Sequence, residues 1–118
     1  MAVRTPDIHL TSNALTVLSR RYLKKDEQGR VIESPQEMFR RVAANVAQAD
    51  LMYGRTDAHA AEEKFLRVLS NLEFLPNSPT LMNAGRPLQQ LAACFVLPVE
   101  DSLESIFDSV KHTALIHQ

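Results

Sequence analysis

Cys94 is the single cysteine among 118 residues. It sits near the start of an apolar run, Leu91-Ala-Ala-Cys-Phe-Val-Leu-Pro-Val99, shortly after a polar turn, Asn77-Ser-Pro-Thr-Leu-Met-Asn-Ala-Gly85. A thiol beside a cluster of amides and hydroxyls suits redox or nucleophilic chemistry. One cysteine excludes an internal disulfide, so a redox partner thiol would have to lie outside these residues, and a reducing compartment would keep Cys94 a thiol. On type and spacing alone, a free cysteine in an apolar strand is more often a buried structural residue. Ser78-Pro79 fits a cap followed by a first-turn proline, so residues 79–83 are expected to form one helical turn stopped by Gly85. Such a turn would aim N–H groups and hydroxyls into a small pocket of the kind that recognises ribose or phosphate oxygens, although a plain connector has the same grammar.

The elements that must position these residues are mostly helical. Apolar residues at Leu10, Ala14, Leu15, Val17, Leu18, Tyr22 and Leu23 predict a helix, with Thr11 or Ser12 as cap. A charged turn closing on Gly29 follows. Ser34-Pro-Gln-Glu37 is a capping box with proline at the first helical position. The helix it starts should bury Met38, Phe39, Val42, Val46 and Ala49 and leave Arg40, Arg41, Asn45 and Gln48 to the other face. A third helix is expected from about Asp57 to Asn71, with Ala58, Ala61, Phe65, Val68, Leu69 and Leu72 as its stripe. The run from Leu91 to Val99 is too short for a helix and closes at Pro98, which predicts a strand covered on both faces. Asp101-Ser-Leu-Glu104 then caps a last helix with Leu103, Ile106, Phe107, Val110, Ala114 and Leu115 facing inward. One strand cannot make a stable sheet, so these residues read as the opening of a larger α/β domain.

Composition narrows the function classes. With 45% hydrophobic and 23% charged residues the chain is ordinary globular material, one domain at most. A formal charge of −1, with Lys and Arg scattered among Asp and Glu, offers no basic stripe for nucleic acid or a membrane surface. Met1-Ala-Val-Arg-Thr-Pro6 is followed by no signal-peptide core, and no segment approaches a membrane span, so a cytoplasmic location is expected. His9, His59, His112 and His117 form no zinc-ligand spacing, and no metal site is predicted.

Asn77-Ser-Pro-Thr-Leu-Met-Asn-Ala-Gly85 and Ala92-Ala-Cys-Phe-Val-Leu-Pro-Val-Glu-Asp-Ser-Leu-Glu-Ser-Ile106 together closely resemble the N-terminal part of the ribonucleotide reductase large subunit, most of all its adenosylcobalamin-dependent class. Leu15-Thr-Val-Leu-Ser-Arg-Arg-Tyr-Leu23 and Glu37-Met-Phe-Arg-Arg-Val42 resemble the same family's helical domain, so the likeness covers nearly the whole chain. The ATP-binding cone that precedes this region in some members is matched by none of these residues, so control of overall activity through it is not implied. The fold this resemblance implies is a mainly α N-terminal domain (1–74) followed, over 75–118, by the first strand and helix of a ten-stranded α/β barrel that is incomplete in this chain.

The resemblance also implies roles. Cys94 matches the redox cysteine that helps reduce the substrate and ends in a disulfide with a second cysteine elsewhere in the family's barrel. A dithiol supplies the two electrons needed to replace the ribose 2′-hydroxyl by hydrogen. Ser78 and Thr80 match the substrate-binding turn, and Ala93 with Cys94 the strand position against the ribose; many relatives carry Ser where Ala93 stands, leaving only a backbone contact there. Asp101, Ser102 and Leu103 resemble the segment receiving a deoxynucleotide effector that selects the substrate. The cofactor implied is adenosylcobalamin, whose cobalt–carbon bond starts the radical chemistry at a different cysteine. It would be bound by parts of the parent protein beyond residue 118.

The expected parent is thus an adenosylcobalamin-dependent ribonucleoside-diphosphate reductase supplying deoxyribonucleotides for DNA synthesis and repair. Its partners would be a ribonucleotide substrate, the effector, a thioredoxin-type reductant and the remainder of the reductase chain, with a homodimeric parent left open. These 118 residues are expected to be inactive alone. The reading from another class is a non-catalytic α-helical interaction module with a buried structural Cys94.

Overall fold

The computed structural model describes residues 8–118; the stretch Met1 to Pro6, on which the expectation about a leader rests, lies outside them. Six helices follow in order: α1 (Ser12–Arg21), α2 (Pro35–Ala47), α3 (Ala49–Met52), α4 (His59–Ser70), α5 (Ser78–Asn83) and α6 (Leu103–His117). Their starts obey local chemistry. Thr11 caps α1 by accepting from the Ala14 N–H. Ser34 and Glu37 close the expected capping box reciprocally, with Pro35 at the first helical position. Asn77, and not Ser78, caps α5 through the Thr80 N–H. Ser102 caps α6 through the Ser105 N–H.

The core lies where α2 and α4 pack, sealed by α5. Met38, Phe39, Val42 and Ala43 of α2 meet Leu66 and Leu69 of α4, Leu81 and Ala84 from the α5 region, and Leu23. The stripe expected on α4 is turned: Leu66, Leu69 and Ser70 are buried while Phe65 and Leu72 are exposed. Leu72 takes a left-handed φ of 57° just past the helix, where its N–H reaches the Leu69 carbonyl and the Glu73 N–H the Val68 carbonyl. That is a Schellman ending with leucine where glycine is usual.

After Ala84 no residue is buried. The strand expected over Leu91 to Val99 does not form; the segment carries no ladder, and Val96 is 97% exposed. Among the described residues there is one isolated bridge, Lys25 with Val31, and no strand. The reason is the backbone's need for partners: a lone extended run has no neighbour to bond with. α6 likewise buries none of Leu103, Ile106, Phe107, Val110, Ala114 or Leu115, because none of the described residues covers its apolar side. The radius of gyration, 18.1 Å, exceeds the roughly 13–14 Å of a compact domain this long. No helix among the described residues is long and apolar enough to cross a membrane.

Candidate functional site

The polar turn is sewn to the segment that carries Cys94. Asn77 Nδ2 donates to the Leu91 carbonyl (3.1 Å) and Asn83 Nδ2 to the Gln90 carbonyl (2.8 Å). The Thr80 hydroxyl lies between Asn77 Oδ1 and that same Leu91 carbonyl, 3.3 Å away. A hydroxyl has one proton, so Thr80 shares it between these acceptors and keeps lone pairs free. The Ser78 hydroxyl is engaged elsewhere, 2.9 Å from Tyr22 Oη at the end of α1.

Beneath the turn is an ionic hub centred on Arg41, a residue expected on the face of α2 turned away from the core. Arg41 is 13% exposed in its side chain and Glu33 6%. Arg41 Nε donates to Glu33 Oε1 at 2.6 Å and Nη2 to Oε2 at 3.0 Å, a bidentate pair. The same guanidinium donates through Nη1 to the Ala84 carbonyl and through Nη2 to the Leu81 carbonyl. Arg86 stands 3.8 Å from Glu33 and donates to the Tyr22 carbonyl. Burial pushes the Glu33 carboxyl up, but the Arg41 bonds, the Lys24 N–H and the charges of Arg41 and Arg86 together hold it below the usual carboxylate range. Gly85, with φ +71°, lies against the Arg41 stem: a Cβ there would come within 2.8 Å of Arg41 Cγ.

Cys94 is exposed, contrary to the buried strand position expected for it. With Ala93, Gln90, Phe95 and Leu97 it faces Thr113, Ile116 and His117 of α6 across a cleft of about 490 Å³. Ser102 lines a different cleft of about 320 Å³ on the other side of Leu97, with Glu100, Glu104, Asp108 and His112. Asp101 and Leu103 flank it, both exposed. Two bonds brace this arm: the Ser109 hydroxyl donates to the Pro98 carbonyl (2.7 Å) and Ser105 Oγ accepts from the Glu100 N–H (2.8 Å).

Ser78 and Thr80 fall in two further, apolar clefts of about 410 and 360 Å³, neither of which reaches Cys94. The described residues therefore join Thr80, with Asn77 and Asn83, to the Cys94 segment through backbone carbonyls, leave Ser78 on Tyr22, and do not gather the candidates into one pocket. Sequence reasoning missed the Glu33–Arg41–Arg86 hub and Tyr22. Glu33 precedes the capping serine and Arg41 follows two turns later, but nothing local tied either to residues 78–86. No group of three or more His, Cys, Asp and Glu side chains fit to hold a metal occurs among the described residues.

Residues 8–89 match the family model for the ribonucleotide reductase all-alpha domain. A vitamin B12-dependent ribonucleoside-diphosphate reductase of Mycobacterium tuberculosis (strain H37Rv) is 51% identical over 92% of this chain and 15% of its own length. One from Thermoplasma acidophilum is 38% identical over 95% of this chain and 22% of its own. A ribonucleoside-diphosphate reductase subunit alpha of Treponema pallidum is 36% identical over 85% of this chain and 11% of its own. The chain thus spans about a fifth or less of the relatives it matches. It belongs to the ribonucleotide reductase large-subunit family, whose all-alpha domain it carries.

Proposed function

We propose that this chain is the N-terminal part of a reductase converting ribonucleoside diphosphates to deoxyribonucleotides, and that Cys94 is one of its two redox thiols. The observation that carries the reading is an exposed thiol on the wall of a cleft large enough for part of a nucleotide, in a chain of this family. In the proposed chemistry Cys94 and a second thiol of the parent are oxidised to a disulfide. Their two electrons, with protons, replace the ribose C2′–OH bond by C2′–H, and the hydroxyl leaves as water. Ser78 and Thr80, with the backbone at Ala93, would hold the substrate. Residues 1–74 would form the helical domain and 75–118 the opening of the catalytic barrel, its strand completed by neighbours from the rest of the parent.

Asp101, Ser102 and Leu103 would meet the deoxynucleotide effector. The cleft beside them carries Glu100, Glu104 and Asp108, so its charge suits hydroxyl and N–H groups; effector phosphates would need cations from elsewhere in the parent. The vitamin B12-dependent relatives point to adenosylcobalamin as the parent's radical source. A corrin with its adenosyl arm does not fit the cleft beside Cys94, so residues beyond this chain would hold it. Reduction of the disulfide by a thioredoxin-type protein, a cytoplasmic setting and inactivity of the 118 residues alone belong to the same reading.

The test is deoxynucleotide formation from CDP with a dithiol, with and without adenosylcobalamin, in the chain joined to its downstream coding sequence and in its Cys94→Ser variant. Cobalamin-dependent turnover that the substitution abolishes is expected. Turnover retained by Cys94→Ser refutes the redox role. No turnover in a folded joined protein favours the interaction-module reading.

A further inference from the structure

We propose that Tyr22 is a positioning residue for the substrate turn, acting through Ser78; this rests on the reading above that Ser78 meets the substrate. α5 has six residues, too few to hold a helical turn by itself, so its place is inherited from what grips it. The grip comes from outside the segment. Tyr22 Oη meets Ser78 Oγ at the first residue of α5, while the Tyr22 carbonyl accepts from Arg86, three residues past its end. Arg41 holds the Leu81 and Ala84 carbonyls between those two points. One residue at the end of α1 therefore brackets the turn, across 56 positions of sequence.

The consequence lies in the hydroxyl. A free serine hydroxyl samples three staggered positions and several proton directions; bonded to Tyr22, Ser78 Oγ is fixed in place and keeps two further bonding directions, at least one of them an acceptor lone pair, for a ligand. Ordering such a group in advance removes a cost that binding would otherwise carry, about 3–10-fold in affinity for one immobilised side chain. Tyr22 itself need not touch the ligand.

The experiment uses the full-length reductase chain and CDP as probe, with Kd from equilibrium dialysis and KM and kcat from turnover, for Tyr22→Phe, Ser78→Ala and the double variant. Each single variant is expected to raise Kd and KM about 3–10-fold, with kcat changing less than KM. In the Ser78→Ala background, Tyr22→Phe should add nothing, since its effect travels through that hydroxyl. If Ser78→Ala weakens CDP and Tyr22→Phe does not, positioning is refuted while the substrate turn stands. If the two losses multiply, Tyr22 acts by another route and the proposal fails. If Ser78→Ala leaves Kd unchanged, the substrate turn fails and the proposal with it. The comparison within the Ser78→Ala background decides the matter even where Tyr22→Phe lowers stability.

Discussion

Replacing Arg41 by Met tests the hub most directly, because Met roughly keeps the stem and removes the five donors. In the structure that deletes two bonds to Glu33 and the donors to the Leu81 and Ala84 carbonyls. Glu33 keeps only the Lys24 N–H at 3.0 Å and Arg86 at 3.8 Å, in a side chain 6% exposed. Breaking a buried pair by removing one partner costs about 3–5 kcal/mol, because the remaining charge stays desolvated. With a urea slope of about 2 kcal/mol/M, the midpoint of unfolding at pH 7, followed by far-ultraviolet circular dichroism, should fall by about 2 M. The pH dependence supplies the second arm. In the parent sequence Glu33 is held low, so its contribution is fully present above the unfolded carboxylate value and is lost as pH falls through the folded one. Without Arg41 the desolvation of Glu33 opposes its ionisation, so protonation relieves the variant. The difference between the two proteins should therefore shrink below about pH 4. A midpoint shift under about 0.5 M at pH 7, or the same shift at pH 3 as at pH 7, would refute the argument.

Three further substitutions probe the turns and one helix cap. Gly85→Ala meets both a left-handed φ of +71° and Arg41 Cγ at 2.8 Å, and should cost about 2 kcal/mol or more in urea unfolding, whereas Gly54→Ala, with φ +87° and open space, should cost only the backbone term of about 1–2 kcal/mol. Equal losses would mean that the approach to Arg41 is relieved without cost. Ser34→Ala removes the acceptor for the Glu37 N–H and should cost about 1 kcal/mol, read as a lower thermal midpoint; an unchanged midpoint would show that water replaces the cap freely.

Much of the helical unit was legible because its signals are local. The box Ser34-Pro-Gln-Glu37 and the stop at Gly85 each depend on residues within a turn of one another, so chain order alone specifies them; it also narrows the cap of α1 to Thr11 or Ser12 and that of α6 to Asp101-Ser102, and the structure selects Thr11 and Ser102. The apolar faces were legible only in part. Periodicity marks a stripe about 100° wide, but which edge is covered depends on where the neighbouring helix lies, and for α4 the buried edge runs through Leu66 rather than Phe65.

What the sequence by itself determined is the helices α1, α2, α4 and α6 and the short turn α5, the capping box at Ser34, and the family to which the motifs around Asn77 and Cys94 point; α3 and the Asn77 cap of α5 it did not. Tertiary structure decided the rest. Arg41, polar and periodic with Asn45, counted as solvent-facing until Glu33 and the carbonyls of Leu81 and Ala84 closed around it; a charge can be buried only where partners arrive from distant positions, and no local pattern announces them. The run from Leu91 to Val99 has a strand's composition, yet a strand exists only when another backbone bonds to it. Here it stays irregular and without a ladder, tied at Gln90 and Leu91 to Asn83, Asn77 and Thr80, with Cys94 open to solvent.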